Sequence, residues 1–249
     1  MLLAAGAGAA AWRERRRRLQ ADRLLRHTTD TLEKLQIDFG RFAPWELIER
    51  LTASDLAALS GRRMVTVLFA DLRGFTALCD QLEPEAVVDL LNGYFQCMTE
   101  AITSHHGQVT ELVGDGMLAL FGALDHNPWR TQDAVRSALA MRAALARYNA
   151  QLRERGMGEL RFGIGIHDGE VIAGVIGNAE LSKFGVVGDA INVASRVEGL
   201  TGQLGVDILI TGDVRHTLDQ RFHVEAMPPM AVKGKDAPLT TFQVVGYEE

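Results

Sequence analysis

The sequence predicts an α+β domain, a ferredoxin-like βαββαβ sheet with extensions, preceded by an N-terminal helical segment. Three observations carry this. Residues 64–71, MVTVLFAD, are a nearly continuous apolar run rich in β-branched side chains, as in a central strand buried on both faces. Residues 108–122, QVTELVGDGMLALFG, set two apolar runs around a Gly-Asp-Gly tip, the short-range signal of a hairpin. Helical segments with a 3.6-residue apolar period separate these strands, so the order runs βα, then ββ, then αβ with further αβ elements.

The chain opens with twelve apolar residues, MLLAAGAGAAAW, followed by Arg13, Glu14 and Arg15 to Arg18. Twelve is short of the roughly 20 needed to span a bilayer, and the charges follow the apolar run where a secretory signal would put them first. Two readings of residues 1–18 stay open. One is the cytoplasmic end of a membrane helix with Trp12 at the interface, which would make this a cytoplasmic, membrane-anchored domain. The other is the Ala-rich start of an ordinary helix whose arginines are solvated.

Residues 19–61 read as a helical linker. Leu25, Leu32, Leu35, Phe39 and Phe42 are spaced 7, 3, 4 and 3 apart, a short heptad seam. It fits a dimerising helix, and equally a single amphipathic helix packed on its own domain. Pro44 interrupts it, WELIERL resumes, and the helix stops before Gly61.

The folded domain is expected over residues 62–249. After the first strand, Pro84 opens a helix whose apolar positions are Val87, Leu90, Leu91, Tyr94, Phe95, Met98 and Ile102, with Gly107 just past its end. A long Ala/Arg/Leu helix occupies 131–154. Residues 160–177, LRFGIGIHDGEVIAGVIG, alternate apolar residues with glycine and suggest two strands joined at His167-Asp168-Gly169. A helix over 190–200, a strand at 207–210 and a last strand at 240–245 finish the chain.

Composition narrows function without naming it. Apolar residues are 47% and charged residues 23%, which excludes a wholly disordered, collagen-like or polytopic membrane chain. The net charge is −6, and because residues 1–18 carry +4, the remainder carries −10. That balance argues against a nucleic-acid partner, whose binding would need phosphate neutralisation. Cys79 and Cys97 are too few for a disulfide framework or a four-thiolate zinc site and fit a reducing compartment.

Two carboxylates stand in odd places. Asp71 ends the apolar first strand, and Asp115 sits at the hairpin tip between two apolar runs. If the hairpin pairs with the first strand, both acids reach one end of one sheet, and two carboxylates with substrate phosphates are a usual way to hold Mg²⁺. The plainer alternative is that Asp71 caps the next helix and Asp115 only makes the turn. The segment LRGFT, from Leu72 to Phe75 and Thr76, forms a strand-to-helix turn whose backbone N–H groups can accept phosphate. Further along, Asn192 and Arg196 lie four apart on one helical face in a small, apolar stretch. The guanidinium suits a phosphate, or else a surface ion pair with Glu198 or Asp189.

Together, FADLRGFT, ELVGDGMLALFG, GIGIHDGEVIAGVIG, FGVVGDAINVASRVE and AVKGKDAP, in that order, resemble the class III nucleotidyl cyclases. The resemblance covers about residues 62–246, and FGRFAPWELIERL resembles the helical linker that precedes many bacterial catalytic domains of this family. It implies conversion of a nucleoside triphosphate to a 3′,5′-cyclic monophosphate and pyrophosphate at the interface of a head-to-tail homodimer. By position, Asp71 and Asp115, with the Leu72 carbonyl nearby, would hold two divalent cations, Mg²⁺ or Mn²⁺. Asn192 would orient the ribose and Arg196 meet charge on the α-phosphate, both from the partner protomer. Lys233 would contact the terminal phosphates, and Phe75 and Thr76 would lie along the substrate. His167, in the family's GIH motif, reads as structural. An upstream sensor or membrane region is a further implied partner.

Base selection is where this chain departs from the adenylyl cyclases of the family it resembles. They usually carry Lys at the place of Glu111 and Asp or Thr at the place of Gly185. A carboxylate only accepts hydrogen bonds, which suits the N1–H and N2 amino donors of guanine and not the N1 acceptor of adenine. Glu111 therefore favours GTP over ATP, while Gly185 offers no side chain toward guanine O6. A second departure is Gly163, where some relatives carry a phosphate-contacting Arg, with Arg161 and Lys235 as possible substitutes. The alternatives to an active GTP-using enzyme are an adenylyl cyclase with atypical base contacts and a nucleotide-binding regulatory module without turnover.

Overall fold

The computed structural model describes residues 60–124, 126–177, 182–230 and 238–248. The expectations for residues 1–59, including the membrane-proximal and heptad readings, lie outside the described residues, as do Lys233 and Lys235.

Strand β1, Gly61–Leu72, lies in the interior of the sheet, paired antiparallel on both sides. Its apolar run divides by parity. Leu68, Ala70 and Leu72 enter one core cluster, while Val65 and Val67 enter a second on the other face. Helix α1, Phe75–Cys79, is short; α2, Pro84–Thr103, follows with Pro at its first turn and buries Leu90, Tyr94, Met98 and Ile102. Strands β2, Gln108–Val113, and β3, Gly116–Phe121, form the expected hairpin, and β3 pairs with β1 through Ala70↔Met117. Helix α3, Arg130–Glu154, packs beside α2 over the first cluster.

Strand β4 corrects the sequence reading. Residues Phe162–Gly177 form one continuous strand of 16 residues with no turn at His167-Asp168-Gly169. Its partner β1 runs alongside from Arg62↔Ile172 to Leu72↔Phe162, so every one of those residues has a ladder partner. Asp168 does not make a turn. Its buried carboxylate accepts two bonds from Arg130, Nε to Oδ1 and Nη2 to Oδ2 at 2.9 Å each, and one of 2.7 Å from Thr66 Oγ1. The chain reverses later, and β5, Ser182–Val187, pairs back on the far half of β4.

The glycines of that segment mark a helix seat. Phe162, Ile164 and Ile166 fill the first cluster, and the alternating Gly163 and Gly165 face helix α4, Asp189–Leu204. A Cβ on Gly165 would overlap the Glu198 amide nitrogen and the Ala194 carbonyl oxygen, so α4 can lie this close only over bare backbone. Strand β6, Ile208–Thr211, then runs parallel to β4, as a crossover through α4 allows. Helix α5, Gly212–Thr217, and strand β7, Phe222–Ala226, had no counterpart in the sequence reading; β8, Thr241–Tyr247, closes the order β2-β3-β1-β4-β6-β8-β7, with β5 on β4. The first four strands with α2 and α3 make the βαββαβ unit; the rest is extension.

Candidate active site

Register brings the two acids together. Because Ala70 pairs with Met117, Asp71 stands opposite Gly116 and next to the hairpin tip that carries Asp115. Gly114 makes that tip with φ 64°, a left-handed conformation that side chains disfavour. Gly116 leaves room for the neighbouring carboxyl, since a Cβ there would stand 2.8 Å from Asp71 Oδ1. Burial, and then the charge of Asp115, raise the Asp71 pKa, while the Leu72 N–H bonded to its carboxylate works the other way.

On its own chemistry this pair would fit a divalent cation: two carboxylates that repel each other, at a cradle kept open by a glycine. Among the described residues no group of three His, Cys, Asp or Glu is disposed to hold a metal ion. A cation held by Asp71, Asp115 and the Leu72 carbonyl would therefore complete its shell with substrate oxygens or water. The plainer use of Asp71 is not what the structure has. The residue capping α1 is Gly74, at φ 69°, and no side chain caps that helix.

The turn after Asp71 is partly committed. The Arg73 N–H donates to the Arg161 carbonyl at 2.7 Å, so it is not available to a phosphate. Arg73 Nη2 donates to the Val206 carbonyl, and its buried Nε has no partner among the described residues. Leu72 is buried, Phe75 half-buried and Thr76 exposed at the start of α1.

Helix α4 presents different residues on its two flanks. Ala190, Val193, Ala194, Val197 and Thr201 are its buried stripe. Asn192 is exposed and Arg196 half-buried on one flank; Arg196 Nη1 is buried with no hydrogen-bond partner among the described residues. Glu198 leaves on the other flank, about 200° around the helix from Arg196, toward the chain's own acids. A Cβ on Gly163 would overlap Glu198 Oε1 and Thr201 Oγ1, and Gly163 pairs directly with Asp71. Burial, then Asp71, lift the Glu198 carboxyl to about 7, with Arg73 lowering it and Asp115 adding a smaller rise.

Glu111 is half-buried on β2, opposite Leu118, and Gly185 is buried on β5, opposite Gly174. Leu118, the β3 partner of Glu111, belongs to the second apolar cluster, and Val186, next to Gly185, packs against that cluster. His167 Nδ1 lies 3.0 Å from Thr211 Oγ1 and 3.7 Å from Asp213 Oδ2. The sequence reading offered Glu198 only as an ion-pair partner of Arg196, whereas it lies beside Asp71 and Gly163, and the reading did not name the engaged Arg73. A glycine facing each turn of α4 was the available signal for the first.

A family model describing the adenylate and guanylate cyclase catalytic domain matches residues 59–246. The adenylate cyclase of Anabaena cylindrica is 36% identical over 225 residues, 86% of this chain and 44% of that protein. Adenylate cyclase 1 of Rhizobium meliloti is 30% identical over 210 residues, 84% of this chain and 32% of that protein. The chain thus spans less than half the length of these curated relatives. Among solved structures, the guanylyl cyclase Cya2 is 38% identical with a TM-score of 0.69, covering 76% of this chain and 95% of that one. The adenylyl cyclase CyaB from P. aeruginosa is 29% identical with a TM-score of 0.71, covering 76% and 97%.

Proposed function

The chain belongs to the adenylate and guanylate cyclase catalytic domain family, and from that premise we propose that it cyclises GTP, in preference to ATP, at two sites shared between two copies of itself. The ribose 3′-oxygen attacks the α-phosphorus and loses its proton. The bond from that phosphorus to the oxygen bridging the β-phosphate breaks, and pyrophosphate leaves. The observation that carries this reading is the division of α4: Glu198 reaches the Asp71 and Asp115 pair, while Asn192 and Arg196 leave the helix on a different flank, Arg196 about 200° around from Glu198. One copy therefore holds two half-sites, and a head-to-tail pair completes both.

In the completed site Asp71, Asp115 and the Leu72 carbonyl would hold two divalent cations, Mg²⁺ or Mn²⁺. When bound, such ions supply Lewis-acid polarisation of the phosphates and acidify the attacking hydroxyl. Asn192 orients the ribose. Arg196, whose buried Nη1 has no partner among the described residues, is poised to donate to the α-phosphate as charge grows on it. Glu111 reads the base by accepting from guanine N1–H and N2–H. Lys233 is assigned to the terminal phosphates by sequence position alone.

ATP use is the second reading, favoured by the adenylate cyclase names of the two curated relatives above. The third, a nucleotide-binding module without turnover, is disfavoured by the presence of both acids with Asn192 and Arg196. Incubating the purified chain with Mg²⁺ or Mn²⁺ and either GTP or ATP, then separating the products by chromatography, distinguishes all three. Cyclic GMP is expected; cyclic AMP alone supports the second reading, and no cyclic product from an intact dimer supports the third. An upstream sensor fits the share of the relatives' length that this chain leaves uncovered. Among the described residues no helix is long and apolar enough to cross a membrane.

A further inference from the structure

In an antiparallel pair, residues directly opposite each other point their side chains to the same face of the sheet. Asp71 and Gly163 are such a pair, so the side-chain place beside Asp71 belongs to Gly163 and is vacant for want of a Cβ. A carboxyl fills it from another element. Glu198 Oε1 and Thr201 Oγ1, both on α4, occupy the space a Gly163 side chain would need. Helix α4 can reach there because Gly165, two residues on, lets its backbone rest on β4. Arg73, on the turn after Asp71, is the cation beside this group, and Asp115 is the next anion.

We propose that Glu198 is a positioning residue for the acid pair of its own subunit, flanking Asp71 from the place Gly163 leaves empty and strengthening divalent-cation binding there. The proposal rests on the cyclase reading of the acid pair. Glu198 is not a third ligand; it stands in the space beside Asp71 that Gly163 leaves open and adds negative charge there. Such outer residues commonly set cation affinity within one or two orders of magnitude. The arrangement also makes Gly163 and Glu198 interdependent, since a larger side chain at 163 and the carboxyl at 198 compete for the same space. A residue at this position that merely filled space would stabilise the fold. A third carboxylate set beside two others costs stability until a cation is bound, and that difference in sign is measurable.

The test uses the whole chain, Mn²⁺ alone as the probe, and electron paramagnetic resonance of the free ion at about pH 8.5, where carboxylates of this kind are ionised. Asp71→Asn should abolish Mn²⁺ binding, and Glu198→Gln should weaken it about 10- to 100-fold. Glu225→Gln, which removes an equal charge from the exposed strand β7, should bind as the parent does. Without cation, Glu198→Gln should unfold at a higher temperature than the parent. Parental Mn²⁺ affinity in Glu198→Gln, with binding lost in Asp71→Asn, overturns the assignment of Glu198 alone. A lowered cation-free unfolding temperature in Glu198→Gln also overturns it, by showing a packing role. Unchanged binding in Asp71→Asn overturns both this proposal and the cation site beneath it.

Discussion

Arg130 grips Asp168 through two parallel hydrogen bonds of 2.9 Å, from the first turn of α3 to the middle of β4. Thr66 on β1 adds a third bond to the same carboxylate at 2.7 Å. Three elements of the sheet and its helical layer are thus tied at one buried point. Removing the acid strands a guanidinium whose side chain is only 22% exposed. Asp168→Ala should therefore cost about 3–5 kcal/mol of stability, and Thr66→Val about 1 kcal/mol, by urea denaturation. Equal, small losses would show that the pair is not what secures β4.

The helix seat makes a sharper claim. Because a Cβ at position 165 would overlap the backbone of α4, Gly165→Ala must shift the helix as a body. The expected loss is on the order of 2–3 kcal/mol, with turnover falling as Asn192, Arg196 and Glu198 all move. A variant with parental stability and turnover would show that α4 tolerates the shift.

Composite sites have a quantitative signature. Asp71→Asn and Arg196→Ala should each lower turnover by at least about 100-fold. Mixed in equal amounts, they should recover about a quarter of the parental rate, because half of the random dimers carry one intact site of two. No recovery from subunits that exchange freely would place all groups of a site in one chain.

Acidity should act on stability in an unusual direction for carboxylates. Burial and Asp71 raise Glu198 to about 7, and burial and Asp115 raise Asp71 as well. A raised folded-state pKa means the folded chain binds more protons than the unfolded one, from the unfolded value near 4.5 up to about 7. Cation-free stability contributed by Glu198 is therefore full below that window and lost as pH rises through it, and the raised Asp71 acts in the same direction. The change should be on the order of 1 kcal/mol for Glu198 once solvent access to the carboxyl is allowed for. Thermal unfolding in chelator across this range reads it, and Glu198→Gln should flatten the slope.

Base preference should follow Glu111 and Gly185. Glu111→Lys with Gly185→Asp replaces an acceptor-only edge by a donor and an acceptor suited to adenine. At position 185 the new Cβ would stand 3.3 Å from Ile176 Cδ1, the movable end of a side chain, so the pair of changes should fold. The ratio of kcat/KM for ATP over GTP should rise at least tenfold. An unmoved ratio would locate base selection elsewhere.

Local chemistry already determined much of this in the sequence. The double-sided apolar run of β1, the glycine tip between β2 and β3, and Pro84 opening α2 each depend on neighbours within a few residues, so the pattern alone specified them. The four residues at 71, 115, 192 and 196 were also legible, because polar groups in apolar surroundings stand out. Only the tertiary structure decided that 162–177 is a single strand, since the Asp168 that looked like a turn residue has partners 38 and 102 positions away. It alone decided, too, that Glu198 lies beside Asp71. Those relations depend on register and on a helix resting over two glycines, and contacts between residues far apart in the chain leave no local periodicity to read.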